Sequence, residues 1–145
     1  MNKTVIGCDI GNVIRNNIDS LPIVKSIKII NELSVDYEII FISKCKPNYQ
    51  LKCTEWLKEN GLDKFKVYFC LEYYEKVNIA TQNNVSIMID DKIQVLSKFN
   101  NLTTKIWFCN DEKKINGTKK YQPDLFNTLK LAINWDEINN IIINL

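Results

Sequence analysis

The stretch Thr4-Val5-Ile6-Gly7-Cys8-Asp9-Ile10-Gly11-Asn12-Val13 constrains this chain more than any other. An apolar run leads straight into an aspartate, and a glycine two places later lets the backbone turn away. Continuous apolar runs bounded by turn residues read as strands buried on both faces, the situation inside a parallel sheet. Ligands of such sheets sit beyond the carboxyl ends of the strands, so Asp9 is expected at the mouth of a site. Taken alone, an aspartate there reads equally as a turn residue that caps backbone amides.

The pattern recurs along the chain. Leu21 to Ser34 places apolar residues at Ile23, Ile27, Ile30 and Leu33, which predicts a helix with one buried face, Ser20 as its N-cap and Pro22 in its first turn. Tyr37 to Ile42 is a second strand that delivers Ser43 and Lys44 at its end. Pro47 opens a helix running through Trp56 and Leu57, with Gly61 as its stop. Phe65 to Cys70 reads as a third strand, and Glu75 to Gln82 as a short helix carrying Lys76 near its start. Val85 to Ile89 is a fourth strand, ending in Asp90-Asp91, and Ile93, Leu96 and Phe99 mark the helix after it. Lys105 to Phe108 reads as a fifth strand towards an edge, and Asn110 to Lys120 as a charged loop. Two helical stretches, about Asp124 to Ile133 and Trp135 to Ile142, close the chain. This alternation predicts a three-layer α/β sandwich around a mainly parallel, five-stranded Rossmann-like sheet, with residues 1–145 as one domain.

Composition narrows the chemistry. A net charge of +2, with scattered lysines, does not argue for nucleic acid, although a local basic rim is compatible with it. The five cysteines, at positions 8, 45, 53, 70 and 109, are odd in number and form no CxxC pair. With no secretory leader and no apolar run long enough to span a bilayer, they are expected as reduced thiols in a cytoplasmic protein. The chain has no histidine, which removes Ser-His-Asp and Cys-His triads. Carboxylates are left as the ligands for a metal, which points to a hard cation such as Mg²⁺.

Asp9, Ser43, Lys76 and Asp90-Asp91 all fall at strand ends or a helix start, and a right-handed parallel sheet brings such positions to one edge. Singly, each has an ordinary explanation as a cap, a solvated charge or an acidic first turn. Jointly, they describe a site.

In these residues the chain resembles the haloacid dehalogenase superfamily over nearly its whole length. The matching segments are Cys8-Asp9-Ile10-Gly11-Asn12-Val13, Phe41-Ile42-Ser43-Lys44-Cys45, Lys76, and Met88-Ile89-Asp90-Asp91. The resemblance implies a phosphohydrolase in which Asp9 is the nucleophile that forms an aspartyl-phosphate. It implies catalytic roles for Ser43 and Lys76 beside Asp9, and a phosphate site made of Asp9, Gly11, Asn12, Ser43, Lys44 and Lys76. Mg²⁺ would be held by Asp9, the carbonyl of Gly11, Asp90 and Asp91. Each role suits phosphoryl transfer, which needs an in-line nucleophile and positive charge around the migrating group.

One position departs from the pattern. The family's phosphatases usually carry a second aspartate where Gly11 stands, to protonate the leaving group and activate water. Glycine does neither, and such help is typically worth ~10²–10⁴-fold in rate. Two readings follow: a phosphatase that favours good leaving groups, or a weakly catalytic module that binds a phosphorylated partner. The gaps from Asp9 to Ser43 and from Ser43 to Lys76 are too short for the cap domain of many relatives. An open site goes, by resemblance, with macromolecular phosphorylated substrates or with a cap from another subunit. A signalling receiver also combines acids, Mg²⁺, a hydroxyl and a lysine. Its paired acids follow the first strand, whereas here they follow the fourth.

Overall fold

The structure is a computed structural model that describes residues 2–145. In chain order the elements are β1 (Thr4–Cys8), α1 (Ser26–Leu33), β2 (Tyr37–Lys44), α2 (Pro47–Glu59), β3 (Lys66–Cys70), α3 (Tyr73–Gln82), β4 (Val85–Asp90), α4 (Ile93–Leu96), β5 (Thr104–Phe108), α5 (Glu112–Tyr121), α6 (Pro123–Thr128), β6 (Leu129–Ala132) and α7 (Trp135–Ile143). The strands form one sheet in the order β3-β2-β1-β4-β5-β6, and every neighbouring pair is parallel. The chain works outward from β1 to β3, then crosses back through α3 to β4. Strand order therefore reverses between β1 and β4, which is where such sheets open a crevice.

Side chains of successive strand residues go to opposite faces. Ile39 and Phe41 of β2 join the core under α1, α2 and α7, together with Trp56, Trp135 and Ile138. Ile40 and Ile42 point to the other face, where Ala80 of α3 and Val95 and Leu96 of α4 cover them. With both faces buried, the strands read in sequence as unbroken apolar runs rather than alternating ones. Gly7 sits where β1 and its neighbours approach closely. A Cβ there would lie 3.0 Å from Met88 Sδ and 3.2 Å from both Ile42 Cδ1 and Val85 Cγ1.

Three expectations are corrected. The sheet has six strands rather than five, because Leu129–Ala132 is extended and not the end of a helix. β5 is consequently internal, and β6 satisfies backbone groups that an edge strand would leave open. Four residues are too few for periodicity to separate strand from helix. Next, the charged segment after β5 contains helix α5. Asp111 caps it by accepting from the backbone N–H groups of Lys113 (3.0 Å) and Lys114 (3.3 Å), while Lys119 and Lys120 suit its C-terminal end. Its apolar face is nearly bare, so no helical spacing was legible.

The third correction matters most for the site. α1 begins at Ser26, not at Leu21, and Ser20 is no N-cap but a left-handed residue with φ of 62°. The preceding backbone is used elsewhere: Asn16 N donates to Leu21 O (2.8 Å), Ile23 N donates to Ile14 O (2.8 Å), and Pro22 bridges to Arg15. Residues 10–25 thus fold into a short flap at the end of β1. Ile10, Val13 and Ile14 root it in the core, and two indoles tie it down. Trp56 Nε1 donates to Ser20 O at 2.7 Å, and Trp135 Nε1 donates to Val13 O at 2.8 Å.

The expected bounds of α2 agree with the structure. Pro47 opens α2, and Gly61 beyond its end is left-handed with φ of 70°. All five cysteines are free thiols. No helix is long and apolar enough to cross a membrane, among the described residues.

Gly7→Ala should cost about 1–3 kcal/mol of stability, the usual penalty for overpacking a filled site. Urea unfolding measures it, and wild-type stability would mean that β4 yields freely around Met88.

Candidate active site

Parallel strands deliver their last residues to one edge, and the reversal of strand order makes a crevice there. β1 ends before Asp9, whose N–H donates to Ile89 O of β4 at 3.0 Å. β2 supplies Ser43 and Lys44, and β4 ends in Asp90 with Asp91 next in the chain. Lys76 comes from the first turn of α3, whose start is fixed when Glu75 Oε1 accepts from Glu72 N at 2.9 Å. The crossover carries α3 over the sheet, so a residue far from Asp9 in sequence lies beneath it.

Lys76 is 1% exposed. Its ammonium lies 2.8 Å from Asp90 Oδ2 and 3.1 Å from Asp9 Oδ1. Burial alone would lower its pKa, but the two carboxylates outweigh that and hold it above the ordinary lysine value. Lys76 is therefore a fixed positive charge. Asp90, 0% exposed, uses both oxygens: Oδ2 accepts from Lys76, and Oδ1 accepts from Lys92 N at 2.9 Å. Asp91 differs. Its carbonyl accepts from Trp107 Nε1 at 3.0 Å, which fixes the turn, yet its Oδ1 is buried with no partner.

Asp9, Asp90 and Asp91 each offer an oxygen within 4.8 Å of the others. Three carboxylates against one ammonium leave the cluster short of positive charge. Burial raises the pKa of Asp9, the Asp90 carboxylate raises it further, and Lys76 only partly offsets this. An orphaned carboxylate oxygen beside two more acids fits a hard divalent cation, which takes oxygen ligands and removes the repulsion. Cys8 lies under this cluster, and burial pushes its thiol up, so it stays neutral.

Above the acids is a cleft of about 150 Å³. Of the residues singled out in the sequence, Asp9, Gly11, Ser43, Lys44, Lys76 and Asp91 line it. Asp90 lies below and does not line the cleft. Asn12 is turned away: it is left-handed (φ 58°), and its Oδ1 accepts from Asn17 N at 3.1 Å, bracing the flap. Arg15, Asn17, Tyr73 and Lys92 line the cleft without having been singled out from the sequence. Arg15 did carry a signal, because it is the only arginine among 19 basic residues. Asn17 carried none. A Cβ on Gly11 would lie 2.9 Å from both Asn17 Oδ1 and Asn17 Nδ2, so the carboxamide fills the space of a side chain at position 11. A larger groove of about 780 Å³, bordered by Thr4, Tyr37, Lys66 and Asn84, lies at the opposite ends of the strands and has no acidic cluster.

No family model matches the chain, and no curated protein sequence does. Solved structures match in shape. A D,D-heptose 1,7-bisphosphate phosphatase from Burkholderia thailandensis superposes with a TM-score of 0.72 at 12% identity, over 99% of this chain and 100% of its own. The likeness is one of fold. A de novo designed Rossmann 3x3 fold protein follows a similar path, with a TM-score of 0.53 at 16% identity, over 97% of this chain and 93% of its own. A path that a designed scaffold also follows leaves the chemistry to the residues at the strand ends.

The raised pKa of Asp9 has a thermodynamic sign. A carboxyl whose folded pKa exceeds its unfolded value of about 3.9 favours folding at low pH, and that contribution is lost as pH rises through the folded pKa. Metal-free Asp9→Asn, which stays uncharged, should melt at a higher temperature than wild type at neutral pH, and the difference should shrink towards pH 4. Calorimetry in a chelator tests this. A lower melting temperature for the variant at pH 7 would show that the pairing with Lys76 outweighs burial and repulsion.

Proposed function

We propose that this chain is a haloacid-dehalogenase-like phosphohydrolase that removes a phosphoryl group from an ester through an aspartyl-phosphate on Asp9. The observation that carries this reading is the buried ammonium of Lys76, held against both Asp9 and Asp90 at the floor of a cleft that Ser43 and Asp91 also face. The fold shared with a phosphatase supports the reaction class.

In this mechanism an Asp9 oxygen attacks phosphorus in line with the ester oxygen. The new O–P bond forms as the ester bond breaks, and the electron pair leaves with the alcohol oxygen. Lys76 partly offsets the burial that favours the neutral form of Asp9 and faces the charge that builds on the phosphoryl oxygens. The Ser43 hydroxyl donates to one of these oxygens. Asp9, Asp90, Asp91 and the Gly11 carbonyl would hold Mg²⁺, and Asp90 Oδ2 also orients Lys76. A bound Mg²⁺ neutralises phosphoryl charge and relieves the repulsion among the acids. Hydrolysis of the acyl phosphate by water then regenerates Asp9.

A cleft of about 150 Å³ admits the phosphoryl group and a small part of its ester, but not a large leaving group. A large leaving group therefore rests outside it, between the flap and the end of β2. That geometry is open to a large substrate. The rival reading, a weakly catalytic phosphate-binding module, draws support from Asn17, whose neutral amide stands where an acid–base side chain would be.

Asp9→Asn should reduce turnover of an aryl phosphate to background while the protein still folds. Asp91→Asn should raise the Mg²⁺ concentration required for half-maximal activity about ten-fold or more, and should cut the stabilisation that Mg²⁺ gives the wild type from about 2.7 kcal/mol, at a hundred times its Kd, to about 1.4 kcal/mol or less. Wild-type turnover in Asp9→Asn would end the covalent mechanism, and an unmoved Mg²⁺ requirement in Asp91→Asn would end its role as ligand.

Gly11 lies outside the left-handed region, so a side chain there is opposed by Asn17 and not by the backbone. Gly11→Asp combined with Asn17→Ala should therefore speed alkyl phosphates by about one to two orders of magnitude and aryl phosphates far less, since only the former need a protonated leaving group. If the folded double variant is no faster on either class, the binding-module reading gains.

A further inference from the structure

The flap brings the chain's only arginine to the cleft, and the mechanism above gives it no task. Arg15 is half-buried. Its guanidinium sits over the Trp56 ring, 5.8 Å from the centroid, and the same indole anchors the flap through its bond to Ser20 O. Across the rim, the Lys44 ammonium lies over the Tyr73 ring at 4.2 Å. Neither cation has an acidic partner. The ion pairs among the described residues are Lys25 with Asp136 and Lys76 with Asp9 and Asp90.

Stacking on an aromatic face fixes a guanidinium and leaves its edge N–H groups free to donate. That edge is a planar fork matched to two oxygens of one anion. Every other basic residue of the chain is a lysine, so the single arginine stands where a fixed fork differs most from a point charge. The transferred phosphoryl group already has Lys76 beneath it. Arg15 belongs instead to the wall built by the flap and α2, beside Cys53.

We propose that Arg15, seconded by Lys44, binds a second anionic group on the leaving-group side of the substrate, so that the preferred substrate is a phosphate ester whose alcohol part carries its own carboxylate or phosphate. This rests on the phosphohydrolase reading of the cleft but extends it to the part of the substrate that the floor does not touch. The source of the anion, carboxylate or phosphate, is left to the probes.

The test uses binding, so that it does not depend on turnover. In the Asp9→Asn protein, the affinities of propyl phosphate, 3-phosphonooxypropanoate and propane-1,3-diyl bisphosphate are measured by calorimetry. The expected result is at least ten-fold tighter binding of one or both doubly anionic compounds, and whichever gains identifies the second group. Adding Arg15→Ala should remove that preference, with a loss for the doubly anionic compound at least ten-fold greater than for propyl phosphate. Arg15→Lys, which retains charge but not the fork and is the gentler change should the alanine variant fail to fold, should lose about three-fold or more. No preference in the parent protein, equal losses for all three probes, or full retention in Arg15→Lys overturns the proposal. Equal losses would place Arg15 on the transferred phosphoryl group, with the phosphohydrolase reading intact. Failure of all three probes to bind would remove both readings of the cleft. Arg15-dependent preference without turnover in the wild type would keep the ligand class and remove the hydrolase.

Discussion

A buried ammonium between two buried carboxylates is the interaction on which the rest of this structure depends. Lys76, Asp9 and Asp90 come from three elements far apart in sequence, and none is more than 7% exposed. Removing charges from water is expensive, and a pair of this kind often contributes no more stability than well-packed apolar residues would. Removing Lys76 is a different matter, since it leaves two buried carboxylates without their cation, at a cost on the order of 3–5 kcal/mol. The pair is therefore better understood as a device for position than as a source of stability. It holds the nucleophile candidate, the end of β4 and the start of α3 in one register.

The sheet makes that device possible. Because the strand order reverses between β1 and β4, the ends of these neighbouring strands face a crevice rather than a packed loop. Gly7 lets β1 lie close against Met88 and Ile42, which brings Asp9 near Asp90 and Asp91. The surplus of negative charge then follows from geometry: three acids share one lysine, and one acid keeps an unpartnered buried oxygen. Such an arrangement is costly as an empty fold and sensible as a cation site.

Around the acids, the flap decides what else reaches the cleft. Its backbone hydrogen bonds at Leu21 and Ile23 use up residues that would otherwise extend α1. Indoles from α2 and α7 pin it from below. The flap is too small to close over a substrate, yet it supplies a stacked arginine and an amide directly over Gly11.

Much of this was legible in the amino-acid order. Apolar runs ending in Asp9, Ser43 and Asp90 mark parallel strands and a shared edge, because a strand buried on both faces has no room for polar residues until it ends. Lys76 was legible as a charge at a helix start, and its spacing from Asp90 fits a crossover helix. Segments whose structure is imposed from outside were not legible. Leu129–Ala132 is a strand because β5 offers it an open edge, and Leu21–Lys25 is not helical because the flap claims its backbone. Asn12 matched the motif but braces the flap, while Arg15 and Asn17 reach the cleft only through the flap's fold. The different partners of Asp90 and Asp91 were equally hidden, since adjacent identical residues differ only in what surrounds them. Sequence determined which residues stand at the strand ends, through burial and periodicity. Tertiary structure alone decided which oxygen was left free and which cation was left unpaired, because both depend on partners distant along the chain.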